Sequence, residues 1–166
     1  MPVQPLLLTA QQIRAHDEVR VAHPLNPKSE MYYTPLTEQA EFRHGGLHRV
    51  RLPPHRESNE LHSHRVEEEF YFVLEGRAML RIGDAEHELG PGDFAAFSAG
   101  SAARMMTNPF DEDLVYLVGG SRSPFEMGDF PRHGKSFIRA AGEMWVVDTD
   151  RLEQPDWRFT EDDRED

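Results

Sequence analysis

The chain has 166 residues, enough for one domain with a hydrophobic core of its own. Hydrophobic residues make up 38% and charged residues 29%, and no apolar run reaches the length of a membrane span. The formal net charge of −12 argues against a protein that binds the phosphate backbone of nucleic acid. The chain has no cysteine, so any metal ion would have to be held by histidine and carboxylate ligands.

The apolar cluster near the first residue, VQPLLLTA, is shorter than the apolar region of a secretory signal peptide. No basic residue precedes it. We therefore expect a cytoplasmic protein that binds neither membranes nor nucleic acid.

Residues 9–20 predict a short helix, in which Thr9 and Gln12 form a capping-box pattern. The following residues are rich in proline and predict an extended arm or loop instead of a packed element. We assign residues 1–46 to this N-terminal helix and arm.

Residues 47–120 consist of short β-forming runs separated by Gly, Pro, Asp and Asn. The run at 78–82 alternates apolar and polar side chains, whereas EFYFVL at 69–74 is apolar on both faces and predicts a strand covered on both sides. GPGD at 90–93 suits a type II turn. No long amphipathic helix interrupts these runs, which favours an all-β antiparallel sandwich or barrel.

Residues 121–159 predict further strands that cover the barrel, at 135–140 and 143–148, with Trp145 as a cover or dimer-interface residue. Residues 160–166 contain acidic side chains in excess and predict a disordered tail. The strand that is apolar on both faces, and arms that could cover or exchange sheet edges, predict a homodimer.

The strongest chemical signal is LHSHRVEEEFYFVLEG at 61–76. In a strand His62 and His64 point to the same face, about 7 Å apart along the chain, and Glu69 begins the next strand. Two imidazoles and one carboxylate leave coordination positions open on Fe(II), Mn(II) or Zn(II). A His-x-His pair also occurs on exposed strands without any role, and this alternative stays open.

This segment resembles the first motif of the cupin family, and LGPGDFAAFSAGSAARMMTN at 89–108 resembles the second. The resemblance covers about residues 47–120. It implies a single-domain double-stranded β-helix, a jelly-roll barrel whose mouth holds His62, His64 and Glu69 as metal ligands. The matched positions are His62, His64, Glu69 and Gly76 in the first motif and Gly92, Asp93, Gly100 and Asn108 in the second.

Arg56, Ser98 and Arg104 depart from the family pattern, and Arg104 stands where the second motif usually supplies a third histidine. Arginine cannot coordinate a metal, because it is always protonated and only donates hydrogen bonds. Three alternatives follow. Arg104 binds an anionic substrate held by the metal, or pairs with Glu69 in place of the metal, or turns outward while another group fills the position. Tyr71 shares a face with Glu69, so its phenol could contact a ligand or only pack in the core.

Other titratable residues near the motif have simpler explanations. His55 and His87 could replace the missing ligand, but we expect both to be exposed. We expect Glu67 and Glu68 to form a solvated acidic edge, although either could replace Glu69 if the strand register shifts by one residue.

The sequence therefore leaves two functions open. In the first, a divalent metal (Fe, Mn or Zn) supports dioxygenase or isomerase chemistry on a small anionic or sugar-like molecule. In the second, the protein binds a small molecule without catalysis, because Arg104 has taken over the position of the metal.

Overall fold

The computed structural model describes residues 5–40, 42–153 and 155. These residues form one α-helix, α1 (Ala10–Ala15), and short 3-10 segments at Glu38–Ala40, Pro131–His133 and Thr149–Arg151. No helix in these ranges is long and apolar enough to cross a membrane. The strands are β1 (Val19–Val21), β2 (Met31–Pro35), β3 (Gly45–Leu52), β4 (Arg56–Glu57), β5 (Ser63–His64), β6 (Glu69–Glu75), β7 (Ala78–Ile82), β8 (Ala85–Leu89), β9 (Phe94–Phe97), β10 (Arg104–Asn108), β11 (Leu114–Ser121), β12 (Phe125–Phe130), β13 (Lys135–Ala140) and β14 (Glu143–Asp148).

The strands form three antiparallel sheets. The largest has the order β1-β2-β3-β11-β6-β9, the second β4-β10-β7-β8 and the third β14-β13-β12-β5. Strands that are neighbours in a sheet are often distant in sequence, as in a jelly roll. The prediction of an all-β jelly-roll barrel is confirmed.

The hydrophobic core lies between the first two sheets. Alternate side chains of β3, β6 and β11 face alternate side chains of β7 and β10, so each strand contributes one face to the core. Met105 lies outside this cluster but is also buried. The buried apolar side chains of the core are Met31, Val50, Leu52, Tyr71, Val73, Ala78, Leu80, Phe97, Met106, Leu114 and Tyr116.

The N-terminal region differs from the prediction in two ways. The helix ends at Ala15, although the capping box is present: the Thr9 backbone N–H donates to Gln12 Oε1 and the Gln12 N–H to Thr9 Oγ1. The segment predicted as an arm or loop instead contains β2, which pairs with β3 and buries Met31 in the core. Local proline content is outweighed here by pairing with the sheet.

The strands that follow the N-terminal region are predicted more accurately. The strands expected at 78–82, 135–140 and 143–148 have these bounds in the structure. The turn at 90–93 is confirmed, since Gly92 has φ +93° and the Asp93 N–H donates to the Gly90 carbonyl over 3.0 Å.

Strand β6 is covered on one side only. Tyr71 and Val73 are buried in the core, but Phe72 and Leu74 on the opposite face are exposed. The prediction of a strand covered on both faces is therefore wrong for the described part of a single chain. The predicted acidic tail at 160–166 lies outside the described residues.

Candidate metal centre and ligand cavity

Two backbone features place His62 and His64 side by side. The N–H groups and carbonyls of His62 and Arg104 exchange hydrogen bonds of 3.2 and 2.8 Å, which ties the first histidine to β10. His64 pairs with Gly128 of β12, where a Cβ atom would lie 2.1 Å from the Ser63 carbonyl oxygen. Only glycine allows this approach. The two imidazole centroids are 5.1 Å apart, with their planes nearly perpendicular.

The buried His62 ring is held in one orientation and one tautomer. Its Nδ1 lies 2.7 Å from the Glu60 carbonyl oxygen, which can only accept, so Nδ1 carries the proton. Burial lowers the pKa of His62 to about 4, and the ring is neutral at physiological pH. Its Nε2 therefore offers a lone pair, as in metal sites whose histidines are oriented by a second hydrogen bond.

His64 is also neutral, and its surroundings are apolar and acidic. Its ring packs edge-on against Phe137, with centroids 5.7 Å apart. Burial lowers the pKa of His64, and the positive charge of Arg104 lowers it further. Its Nδ1 lies 3.6 Å from Glu126 Oε2, which is too far for a good hydrogen bond.

Glu69, the first residue of β6, is held through one of its two oxygens. Oε2 accepts hydrogen bonds from the Tyr71 hydroxyl (2.7 Å) and from Arg104 Nε and Nη2 (3.0 and 2.7 Å). No hydrogen bond within the described ranges reaches Oε1. Burial is the largest single influence and raises the pKa of the Glu69 carboxyl, but the charge of Arg104 and the hydrogen bonds from Tyr71 and Arg104 contribute to a net lowering of this pKa. Glu69 is thus an ionised carboxylate with one free oxygen.

Arg104 is completely buried and lies behind Glu69, with its guanidinium 5.0 Å from the centre of the Phe97 ring. Among the described residues, its Nη1 has no hydrogen-bond partner. The alternative in which Arg104 turns outward is therefore wrong. Arg104 and Tyr71 are both in contact with Glu69 and absent from the described residues that line the cavity. Their predicted contact with a substrate stays a prediction.

The donor set of His62, His64 and Glu69 fits a divalent cation. One donor atom from each lies within 4.8 Å of the others. Arg104 does not line the cavity and binds Glu69 through Oε2, so it leaves Oε1 without a hydrogen bond from a guanidinium.

A second group, His64, Glu67 and Glu126, satisfies the same distance limit but fits a cation less well. Glu126 is completely buried, and its two oxygens accept four backbone N–H groups, from residues 65, 66, 67 and 127. Glu67 Oε1 accepts hydrogen bonds from Arg139 Nη2 and, over 2.6 Å, from the Ser123 N–H. These contacts account for the burial of Glu126 without a metal, and Glu67 is already held by Ser123 and Arg139 through Oε1.

The imidazoles and Glu69 face a cavity of about 650 Å³, bounded by the first and third sheets. Its wall includes the apolar side chains Val118, Phe130 and Phe137 and two arginines, Arg122 and Arg139. A cavity of this size and mixed polarity suits a small polar molecule.

The sequence analysis missed part of this site. Glu67 is buried, so the expectation of a solvated acidic edge is wrong for it, although Glu68 is exposed. Glu67 precedes β6, so the alternation of that strand could not predict its burial. His55, which contacts Asp111, and His87 are both exposed and absent from the described lining of the cavity.

Comparisons with known proteins agree with this architecture. Residues 48–120 match the cupin domain family. A protein of Acidithiobacillus ferrooxidans provisionally named a sugar phosphate isomerase is 34% identical, with a TM-score of 0.87 over 91% of this chain and 97% of that chain. A sugar phosphate isomerase of the cupin superfamily from Silicibacter pomeroyi is 26% identical, with a TM-score of 0.74 over 84% and 90% of the two chains.

A protein of Thermotoga maritima, named as a predicted oxalate decarboxylase, is 20% identical with a TM-score of 0.59 over 71% of this chain and all of that one. This likeness shows the fold alone. A sequence search of curated proteins finds no match.

The jelly-roll fold with histidines and a glutamate at a cavity defines a cupin-type domain. The chain belongs to the cupin superfamily.

Proposed function

We propose that this protein is a metal-dependent isomerase of phosphorylated sugars. The observation that carries the proposal is the convergence of two neutral imidazoles and the Glu69 carboxylate on a cavity of about 650 Å³. The names of the two relatives described above favour isomerase chemistry over the dioxygenase alternative. We propose His62, His64 and Glu69 as the ligands of the cation.

The chain's own residues hold the ligands in position. The Glu60 carbonyl fixes the tautomer of His62, and Arg104 and Tyr71 fix Glu69 through Oε2. A bound divalent cation would polarise the carbonyl oxygen of the open-chain sugar and so favour transfer of a proton from the adjacent carbon to a carboxylate that lines the cavity. The Phe137 ring packs against His64 and makes this end of the cavity partly apolar.

Isomerisation can be tested with metal-loaded protein and a panel of five- and six-carbon aldose and ketose phosphates in D₂O. We expect NMR spectra to show conversion of at least one aldose phosphate into its ketose. We also expect deuterium at the carbon that loses its proton. Protein treated with chelator and the His62→Ala variant should show neither. If the loaded wild-type protein converts no member of the panel, the proposed activity is wrong.

The ion pair between Arg104 and Glu69 favours a second candidate, a cupin that binds a ligand without catalysis. A carboxylate already neutralised by a buried guanidinium attracts a dication less strongly than a free one. This candidate predicts that sugar phosphates bind equally well with and without chelator, and that no turnover occurs.

The homodimer and the cytoplasmic location remain predictions. An exposed apolar face on β6 and β9, formed by Phe72, Leu74 and Phe94, is consistent with a subunit interface. Light scattering after size exclusion should give twice the chain mass, and Phe94→Ser should shift the protein towards the monomer.

A further inference from the structure

We propose that Arg122 and Arg139 bind the phosphate group of the substrate and orient its sugar towards His62 and His64. The phosphorylated substrate class rests on the proposed function. The assignment of these two residues rests on their position, their unused donors and the charge balance of the cavity.

The two arginines reach the cavity from different sheets. Arg122 directly follows β11 of the first sheet, and Arg139 lies on β13 of the third. Among the described residues that line the cavity, Arg122 and Arg139 are the only lysine or arginine side chains. Both side chains are partly exposed, at 45% and 37%. A molecule that enters between the sheets would meet both guanidinium groups.

Each guanidinium has donors that the protein does not use. Arg122 contacts Glu38 (2.8 Å) and His48 (3.1 Å) through Nη2 alone, and Arg139 contacts Glu67 through Nη2 alone. Within the described part of the chain, the Nε and Nη1 groups of both have no hydrogen bond. A guanidinium fork matches the oxygens of a phosphate group, and two forks can neutralise its charge.

The local backbone gives Arg122 a defined place. Its guanidinium lies directly against Gly46, where a Cβ atom would be 2.6 Å from Nε. Gly46 itself lines the cavity. A larger residue at this position would displace the guanidinium from the wall.

The charge balance makes cationic side chains necessary for a phosphate ligand. The chain carries a formal net charge of −12, and Glu67, Glu68 and Glu69 all line this cavity. Arg104 pairs with one of these carboxylates but does not itself line the cavity, so it does not reach a ligand there. A dianionic phosphate would be repelled unless Arg122 and Arg139 faced it.

Phosphate binding can be measured without metal, so that it is independent of catalysis. Titration calorimetry in the presence of chelator would use ribose 5-phosphate, with ribose and inorganic phosphate as separate ligands. We expect Arg122→Gln and Arg139→Gln each to raise the Kd for ribose 5-phosphate about tenfold, and Arg139→Lys to raise it less, because the lysine keeps the charge but not the fork. The Kd for ribose should not change.

Arg56→Gln provides the matched control. Arg56 is exposed to a similar extent (43%), forms an ion pair with Glu30 and lines a separate cavity of about 360 Å³ that also contains Lys28 and Arg81. Its substitution should leave binding unchanged. The proposal is overturned if Arg122→Gln and Arg139→Gln bind like the wild type, if the loss occurs in Arg56→Gln instead, or if the wild type binds neither phosphate compound.

The outcomes for this subsite and for the proposed function are separable. If Arg122→Gln and Arg139→Gln weaken phosphate binding but no sugar phosphate is converted, the subsite stands and the isomerase proposal fails. If turnover is found and the KM of both variants equals that of the wild type, the isomerase stands and the subsite fails.

Discussion

Two glutamates near His64, Glu69 and Glu126, differ in what their oxygens contact. Glu126 is completely buried and accepts four backbone N–H groups that lie on both of its oxygens. Glu69 accepts three side-chain hydrogen bonds, all on Oε2. Both oxygens of Glu126 therefore accept backbone hydrogen bonds, whereas Oε1 of Glu69 accepts none from the described residues and can bind a ligand.

This difference shows that proximity to a histidine does not identify a metal ligand. Both glutamates belong to groups of three side chains that satisfy the same distance limit. What separates them is the number of lone pairs that the protein leaves unused. The following predictions test the comparison, beginning with the largest effect.

Glu69→Gln should lower the free energy of unfolding by about 3 kcal/mol, because it leaves the buried charge of Arg104 without a partner. Urea denaturation would measure the change. Adding Arg104→Met to the Glu69→Gln variant should recover most of the loss, since the uncompensated charge is then gone. If the double variant is less stable than Glu69→Gln alone, the ion pair is not the cause.

Glu126→Gln should lower the free energy of unfolding by about 2 kcal/mol, because an amide nitrogen then faces a backbone N–H that needs an acceptor. The control is Glu68→Gln, an exposed neighbour whose substitution should change stability by less than about 0.5 kcal/mol. Equal effects of the two substitutions would mean that Glu126 does not organise the backbone around His64.

Arg104→His should tighten the binding of Zn(II) or Mn(II) by about tenfold, or about 1.4 kcal/mol, because it removes a cation and adds an imidazole. Competition with a fluorescent chelator would give the Kd. Arg104→Gln separates the two causes, since it removes the charge without supplying a ligand. An unchanged Kd in Arg104→His would show that neither the charge of Arg104 nor an imidazole at this position affects the binding of the cation.

Tyr71→Phe should have the smallest effect, a loss of about 1 kcal/mol in the free energy of unfolding, because Glu69 keeps both hydrogen bonds from Arg104. Metal content should stay at the wild-type level. If the metal is lost together with this single hydroxyl, the tyrosine is itself a ligand or fixes the carboxylate more strongly than Arg104 does.

Much of the barrel could be predicted from the sequence, because its signals are local. Alternation and turn residues predicted the strands at 78–82, 135–140 and 143–148. The errors arose where distant partners decide the structure. Strand β2 forms because β3 is available to pair with it, and nothing in the proline-rich segment itself indicates this partner.

The candidate site was likewise predicted where its signals are local and missed where a distant partner decides the structure. The motif identified His62, His64 and Glu69, and the structure brings them together. The burial of Glu67 depends on Arg139, which lies 72 residues later in the chain. No short-range pattern connects the two, so the pair could be recognised only once β13 was placed against the first sheet.

The most direct test is the metal content of purified wild-type, His62→Ala and Glu67→Gln protein, measured by inductively coupled plasma mass spectrometry after reconstitution. We predict about one equivalent of Fe, Mn or Zn in the wild type and in Glu67→Gln, and none in His62→Ala. A wild type without metal would contradict the central claim. Loss of metal from Glu67→Gln with retention in His62→Ala would also contradict it, because the cation would then lie at the second group of ligands.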